Sequence, residues 1–110
     1  DLETFMHVVR NVEKRNEEIS NYIKEIEGNL KTCIKKVGMV RYSAFQDTGS
    51  DLSFSLALLD EYNTGVVLNG IYSREMSNIY AKPIKEGKSS YTLSDEEKEA
   101  IRKAIEGEKK

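Results

Sequence analysis

Ten positions near the start of the chain, Leu2, Phe5, Val9, Val12, Asn16, Ile19, Ile23, Ile26, Leu30 and Cys33, follow one another in alternating steps of three and four residues. All but Asn16 are apolar or thiol side chains, and the residues between them are mostly Glu, Lys, Arg, Asn and Ser. A strict 3.5-residue repeat drifts around a straight α-helix, so it stays on one face only if like helices supercoil left-handed about each other. Leu2, Val9, Asn16, Ile23 and Leu30 take the a positions of the heptad, and Phe5, Val12, Ile19, Ile26 and Cys33 the d positions. Met6 and Ile34 at e, with Val8 at g, widen the stripe at its two ends. The pattern predicts a coiled-coil helix over residues 1–36, roughly 50 Å long at about 1.5 Å per residue. Such a helix is too long to pack along the rest of the chain. The competing reading folds it back at Gly28-Asn29. Gly28, however, falls at the outward f position, where it weakens the helix by about 1 kcal/mol without touching the seam.

Asn16 carries the most information about partners. An Asn at an a position pairs best with its own copy in a parallel, in-register dimer, whereas Ile at d favours higher orders. A parallel homodimer is expected, with a trimer possible. Of 110 residues, about 70 remain for a globular head, a size at which a core is marginal and oligomerisation adds stability.

After Lys35-Lys36 the apolar period changes from 3.5 to 2, and residues 37–110 read as a small α+β head. Strands are expected at 37–45, 53–59, 66–72 and 78–84. In the second, Phe54, Leu56 and Leu58 alternate with Ser53, Ser55 and Ala57. Tyr62-Asn63-Thr64-Gly65 reads as a hairpin connection. Pro83 suits an edge strand or strand end. Glu86-Gly87 turns the chain toward a short fifth strand. Ser94-Asp95-Glu96-Glu97 forms a capping box that opens a last helix, which buries Ala100, Ile101, Ala104 and Ile105 and stops at Gly107. The fold class is thus α+β: a long N-terminal helix, an antiparallel sheet of four to five strands and a C-terminal capping helix.

Charge narrows the function. Acidic and basic groups number seven and seven in residues 1–36, six and five in 37–93, and six and five in 94–110, for a net charge of −2. No segment has the basic excess of a nucleic-acid binder or of a surface for anionic membranes. The single cysteine excludes an internal disulfide and makes a reducing compartment the default. No apolar run is long enough to cross a bilayer.

Three short motifs invite a chemical reading. Asp47-Thr48-Gly49-Ser50 matches the aspartic-protease signature, in which two chains each supply one Asp to a shared proton. Gln46 stands where that signature wants an apolar residue, and neither a glycine-rich flap nor a second matching element follows, so a polar turn is expected. Gly87-Lys88-Ser89 resembles the end of a phosphate-binding loop, but Lys82 occupies the position of the required first glycine, and a tight hairpin is expected. His7 sits alone on the outer face of the predicted coil, without a second ligand for a metal. Cys33 reads as a packed seam thiol. No catalytic residue, metal or cofactor is therefore implied. The polar residues left over, Arg41, Tyr42, Asp51, Arg74, Glu75, Tyr80 and Lys82, read either as a ligand or partner patch at the strand ends or as the solvated face of a one-sided sheet.

Several blocks carry a family resemblance: Val37-Gly38, Val40-Arg41-Tyr42, Ala44-Phe45, the run from Asp51 to Asp60, Arg74-Glu75, Tyr80-Ala81-Lys82-Pro83-Ile84, Gly87-Lys88-Ser89-Ser90-Tyr91 and Leu93-Ser94. Over residues 36–100 the chain resembles a bacterial family known as domain of unknown function 4446. The resemblance implies a single-pass protein in which a transmembrane helix leads through a coiled coil into a cytoplasmic domain. Together with the abrupt start inside a helical pattern, it implies a membrane segment ahead of Asp1. It supplies no catalytic residues. The expectation is a non-enzymatic homo-oligomeric scaffold, tethered to the membrane only through a segment absent from these residues and displaying paired heads to a cytoplasmic protein. The alternative is a small-anion sensor built on Arg41, Arg74 and Lys82.

Overall fold

The computed structural model describes residues 1–44 and 52–107. It divides the chain into two units, Asp1–Lys31 and Thr32–Lys110. The first is a single helix, α1 (Leu2–Leu30). The Asp1 carboxylate caps it by accepting from the Thr4 backbone N–H at 2.8 Å. Its 29 residues span about 43 Å, and none of them is buried. The helix stops six residues short of the predicted end. Gly28, Asn29, Thr32 and Cys33 are weak helix formers close together. By Lys35 the backbone has become extended, since its N–H donates to the Leu59 carbonyl at 3.0 Å. Cys33 and Ile34 consequently lie beyond the helix, and its heptad ends at Leu30.

The second unit is an antiparallel meander, β1 (Lys36–Tyr42), β2 (Ser53–Leu59), β3 (Gly65–Tyr72) and β4 (Ser77–Ile84), with spatial order β1-β2-β3-β4. It is closed by α2 (Asp95–Glu106). The first strand ends at Tyr42, short of the predicted residue 45, and Phe45 lies outside the described residues. Between β2 and β3, the Asp60 carboxylate accepts from the Tyr62 and Thr64 N–H groups at 2.8 and 3.1 Å. This side-chain turn lets Asn63 adopt φ 61°, a conformation Asn tolerates well. Pro83 stands on the outer strand β4, opposite Val66, where its missing N–H costs no ladder bond.

Among the described residues no fifth strand forms. Lys85 and Lys88 instead exchange backbone hydrogen bonds of 2.8 and 2.9 Å around Glu86 (φ 51°) and Gly87 (φ 80°), a tight two-residue turn. The Gly87 N–H also donates to the Asn63 carbonyl at 2.8 Å, tying this turn to the β2–β3 hairpin.

Helix α2 opens with the predicted capping box: Ser94 Oγ accepts from the Glu97 N–H, and Glu97 Oε1 accepts from the Ser94 N–H. Its buried stripe is Glu97, Ala100, Ile101 and Ala104, spaced 3, 1 and 3, so that a single face meets the sheet. Ile105 stays exposed, contrary to expectation, because it falls one step past that stripe.

Cross-strand partners share a face, so the register sorts the sheet into two sides. Toward α2 point Gly38, Val40 and Tyr42 of β1; Ser53, Ser55, Ala57 and Leu59 of β2; Val67 and Asn69 of β3; and Tyr80, Lys82 and Ile84 of β4. Most of these are small or polar, and smallness sets the distance of closest approach. A Cβ on Gly38 would overlap the Ala100 carbonyl oxygen and the Ala104 backbone nitrogen. Helix backbone thus lies directly on strand backbone, with Ala57, Leu59, Val67, Ile84, Ala100, Ile101 and Ala104 forming the core around that crossing.

Candidate functional site

A set of polar side chains is buried beneath α2. Glu97 is 1% exposed and lies at the third position of the helix. Its Oε1 accepts from the Lys82 ammonium at 2.9 Å, and Lys82 also donates to the Thr92 carbonyl at 2.8 Å. Burial pushes the Glu97 carboxyl up. The Ser94 backbone N–H, the Lys82 hydrogen bond, the Ser94 hydroxyl and the Lys82 charge together outweigh it, and the carboxyl settles below its ordinary range. Glu97 Oε2 is buried and makes no hydrogen bond among the described residues. Alongside, Asn69 Oδ1 accepts from the Ser55 hydroxyl, and from the Tyr42 hydroxyl at 3.0 Å. Burial raises the Tyr42 hydroxyl above its ordinary value; the Asn69 bond opposes this, and the charges of Glu96 and Glu97 add to it. Ser53 Oγ accepts from the Tyr72 N–H at 3.0 Å. The Lys82–Glu97 pair joins the sheet to α2, while the bonds of Tyr42, Ser53, Ser55 and Asn69 tie neighbouring strands together beneath it.

The predicted patch is not one surface. Tyr42, Tyr80 and Lys82 point to the α2 side. Arg41 points to the other, with its guanidinium 5.7 Å from the Phe54 ring centroid and donating to the Leu52 carbonyl at 3.0 Å. Arg74 and Glu75 lie in the exposed turn between β3 and β4. Asp51 and the protease-like Asp47-Thr48-Gly49-Ser50 are outside the described residues. An anion site built on Arg41 and Lys82 would need side chains from opposite faces of the sheet, and Lys82 is already bound to Glu97.

Two features that are apolar and uncovered stand out instead. Along α1, Leu2, Phe5, Val12, Ile19, Ile23, Ile26 and Leu30 are all exposed, from 40% at Ile26 to 75% at Leu2. The second feature is the sheet face away from α2. Val37 and Met39 of β1, Phe54, Leu56 and Leu58 of β2, Val66 and Leu68 of β3, and Ile79, Ala81 and Pro83 of β4 form one continuous apolar surface. The Phe54 ring lies over Gly70, where a Cβ would collide with it. Within Thr32–Lys110 no described element covers this face. Phe54, Leu56 and Leu58 were legible as an apolar set. The signal that would have marked them as the uncovered one is Gly38 and Ala57, which demand close backbone approach on the other side.

The family model described as a protein of unknown function (DUF4446) matches residues 1–105. The chain belongs to this family. In this DUF4446 chain the match takes in α1 as well as the sheet and α2, so the family is defined by the helix and the head together. No curated protein and no solved structure matches the chain.

Proposed function

We propose that this DUF4446 chain is a non-enzymatic homo-oligomeric interaction module, in which α1 zips to its own copy as a parallel coiled coil and presents paired heads to a protein partner. The carrying observation is the uncovered a/d row of α1. A helix of 29 residues with no buried side chain is marginal in water, and an apolar seam along its whole length supplies the missing stabilisation once a like helix packs against it. The head fits a binding role, because its buried polar groups are spent on structural bonds within the sheet and between Lys82 and α2. Tethering at the cytoplasmic face of a bacterial membrane, implied by the family resemblance, would use a segment outside these residues; none of the described helices is long and apolar enough to cross a membrane.

Sedimentation equilibrium on residues 1–110 tests the reading. A dimer is expected at micromolar concentration, and Ile19→Asp with Ile23→Asp should make it monomeric. Asn16→Ile should raise the melting temperature, by removing a buried amide worth about 1–2 kcal/mol, and should admit higher orders. A monomer at every concentration overturns the module, and an unchanged melting temperature in Asn16→Ile places that residue outside a seam.

A further inference from the structure

We infer that the apolar sheet face away from α2 is a second self-association surface, occupied by the same face of another copy in a face-to-face sandwich. The face is chemically suited to itself. Among the described strand residues it presents Val37, Met39, Phe54, Leu56, Leu58, Val66, Leu68, Ile79, Ala81 and Pro83, with Tyr72 and Ser77 at one end and one charge, that of Arg41, at a corner. Arg41 is held over Phe54 and on the Leu52 carbonyl near the end of an outer strand, so two copies can meet with its charge at the rim of the contact. An isologous contact sets one patch against itself, residue i on j and j on i, and an aliphatic patch meets that demand without any matching of charges.

Size argues in the same direction. Four strands about 4.8 Å apart and seven to eight residues long, at about 3.3 Å each, make a patch near 20 by 25 Å. With side-chain relief it buries roughly 600–700 Å² per copy, somewhat below the 800 Å² or so of a standard freestanding interface. It also lies above the largest apolar patch usual on a monomer. A surface of that size pairs weakly alone and firmly when the copies are already joined, because a tether raises the effective concentration to the millimolar range. The strength of the pairing therefore rests on the coil proposed above; the choice of partner does not. A two-fold axis is the operator both contacts need.

The test is intermolecular crosslinking in the full chain with Cys33→Ser, placing one new thiol at Leu56, central on this face and in register with Met39 and Leu68. The control thiol is at Lys98, exposed on α2. With a short bis-maleimide, Leu56→Cys should form crosslinked dimers about tenfold or more faster than Lys98→Cys. Ile79→Glu, a change at a side chain 69% exposed, should abolish that advantage while leaving the sedimenting mass unchanged. Equal crosslinking rates at the two positions would overturn the face. So would a Leu56→Cys thiol that resists a monofunctional maleimide yet forms no dimer, since then the chain's own residues or another partner cover it. The mass reads the coil and the ratio of rates reads the face, so either can fail without the other.

Discussion

The two faces of the sheet differ in a way that reverses the usual one-sided arrangement, in which large apolar residues go under the helix and polar ones face water. Here the helix covers Gly38, Ala57, Ser53, Ser55, Asn69 and Lys82 beside Leu59, Val67 and Ile84, while Phe54, Leu56, Leu58 and Leu68 lie on the side that no described element of Thr32–Lys110 covers. Under α2, stability comes from a small core of Leu59, Val67, Ile84 and Ile101, from close backbone approach and from polar groups that pair. On the other face the apolar area is available for an intermolecular contact. The difference shows that a sheet can be amphipathic by size as well as by polarity, and that the bulkier side need not be the inner one.

The sharpest way to break this comparison is to add volume at the closest approach. Gly38→Val must displace α2 backbone, and a loss of about 3 kcal/mol or more is expected in urea titration, enough to leave much of the head unfolded. A stable Gly38→Val head would mean that α2 does not sit where the Ala100 and Ala104 backbone places it.

Next in size is Lys82→Met, which strips the buried Glu97 carboxylate of its cation and should cost about 2–3 kcal/mol at neutral pH. The Glu97 carboxyl lies below its ordinary range in the folded chain. Its contribution is therefore complete above the unfolded carboxyl value and is lost as pH falls through the lower folded one. Without Lys82, burial should dominate and lift that carboxyl, so the deficit of Lys82→Met should shrink as the solution is acidified. A deficit independent of pH would show that the ion pair does not link titration to folding.

A matched pair of gentler changes sets the two faces directly against each other. Ser55→Ala removes one of two donors to Asn69 Oδ1 and should cost about 1 kcal/mol. Val37→Thr, at a side chain 57% exposed on the open face, should cost under about 0.5 kcal/mol in thermal melts of dilute protein. Equal costs would erase the asymmetry. One further change should bring a gain. Glu86 holds φ 51°, a conformation unfavourable for a side chain, and Glu86→Gly should stabilise the head by about 0.5–1 kcal/mol. A loss there would mean that the Glu86 side chain contributes more than its backbone strain costs.

Much of the architecture was legible from period alone. The switch from 3.5 to 2 after Lys36 located the sheet, and Ser94 to Glu97 located α2. Boundaries were harder, because β1 ends where pairing with Ser53 ends and not where apolar residues end. Glu97 was visible only as a cap, since nothing local says that a lysine fifteen residues earlier will reach it. Arg41 and Lys82 looked alike as exposed cations, and only the strand register separates them onto opposite faces. The inner identity of the Ser53, Ser55 and Ala57 side depended on α2 crossing Gly38, a contact between residues more than sixty apart in the chain.

That crossing also sets an order of assembly. Each strand of the meander pairs with its neighbour in sequence, so the sheet is built from short loops whose closure is entropically cheap. Helix α2 follows all four strands in the chain, yet the groove it fills begins on the first of them. A nascent head can therefore pair its strands early while Ser55, Asn69 and Lys82 remain wet, and it gains cooperativity only when residue 106 has left the ribosome. Docking of α2, rather than completion of the sheet, is therefore the step that takes these polar groups out of water.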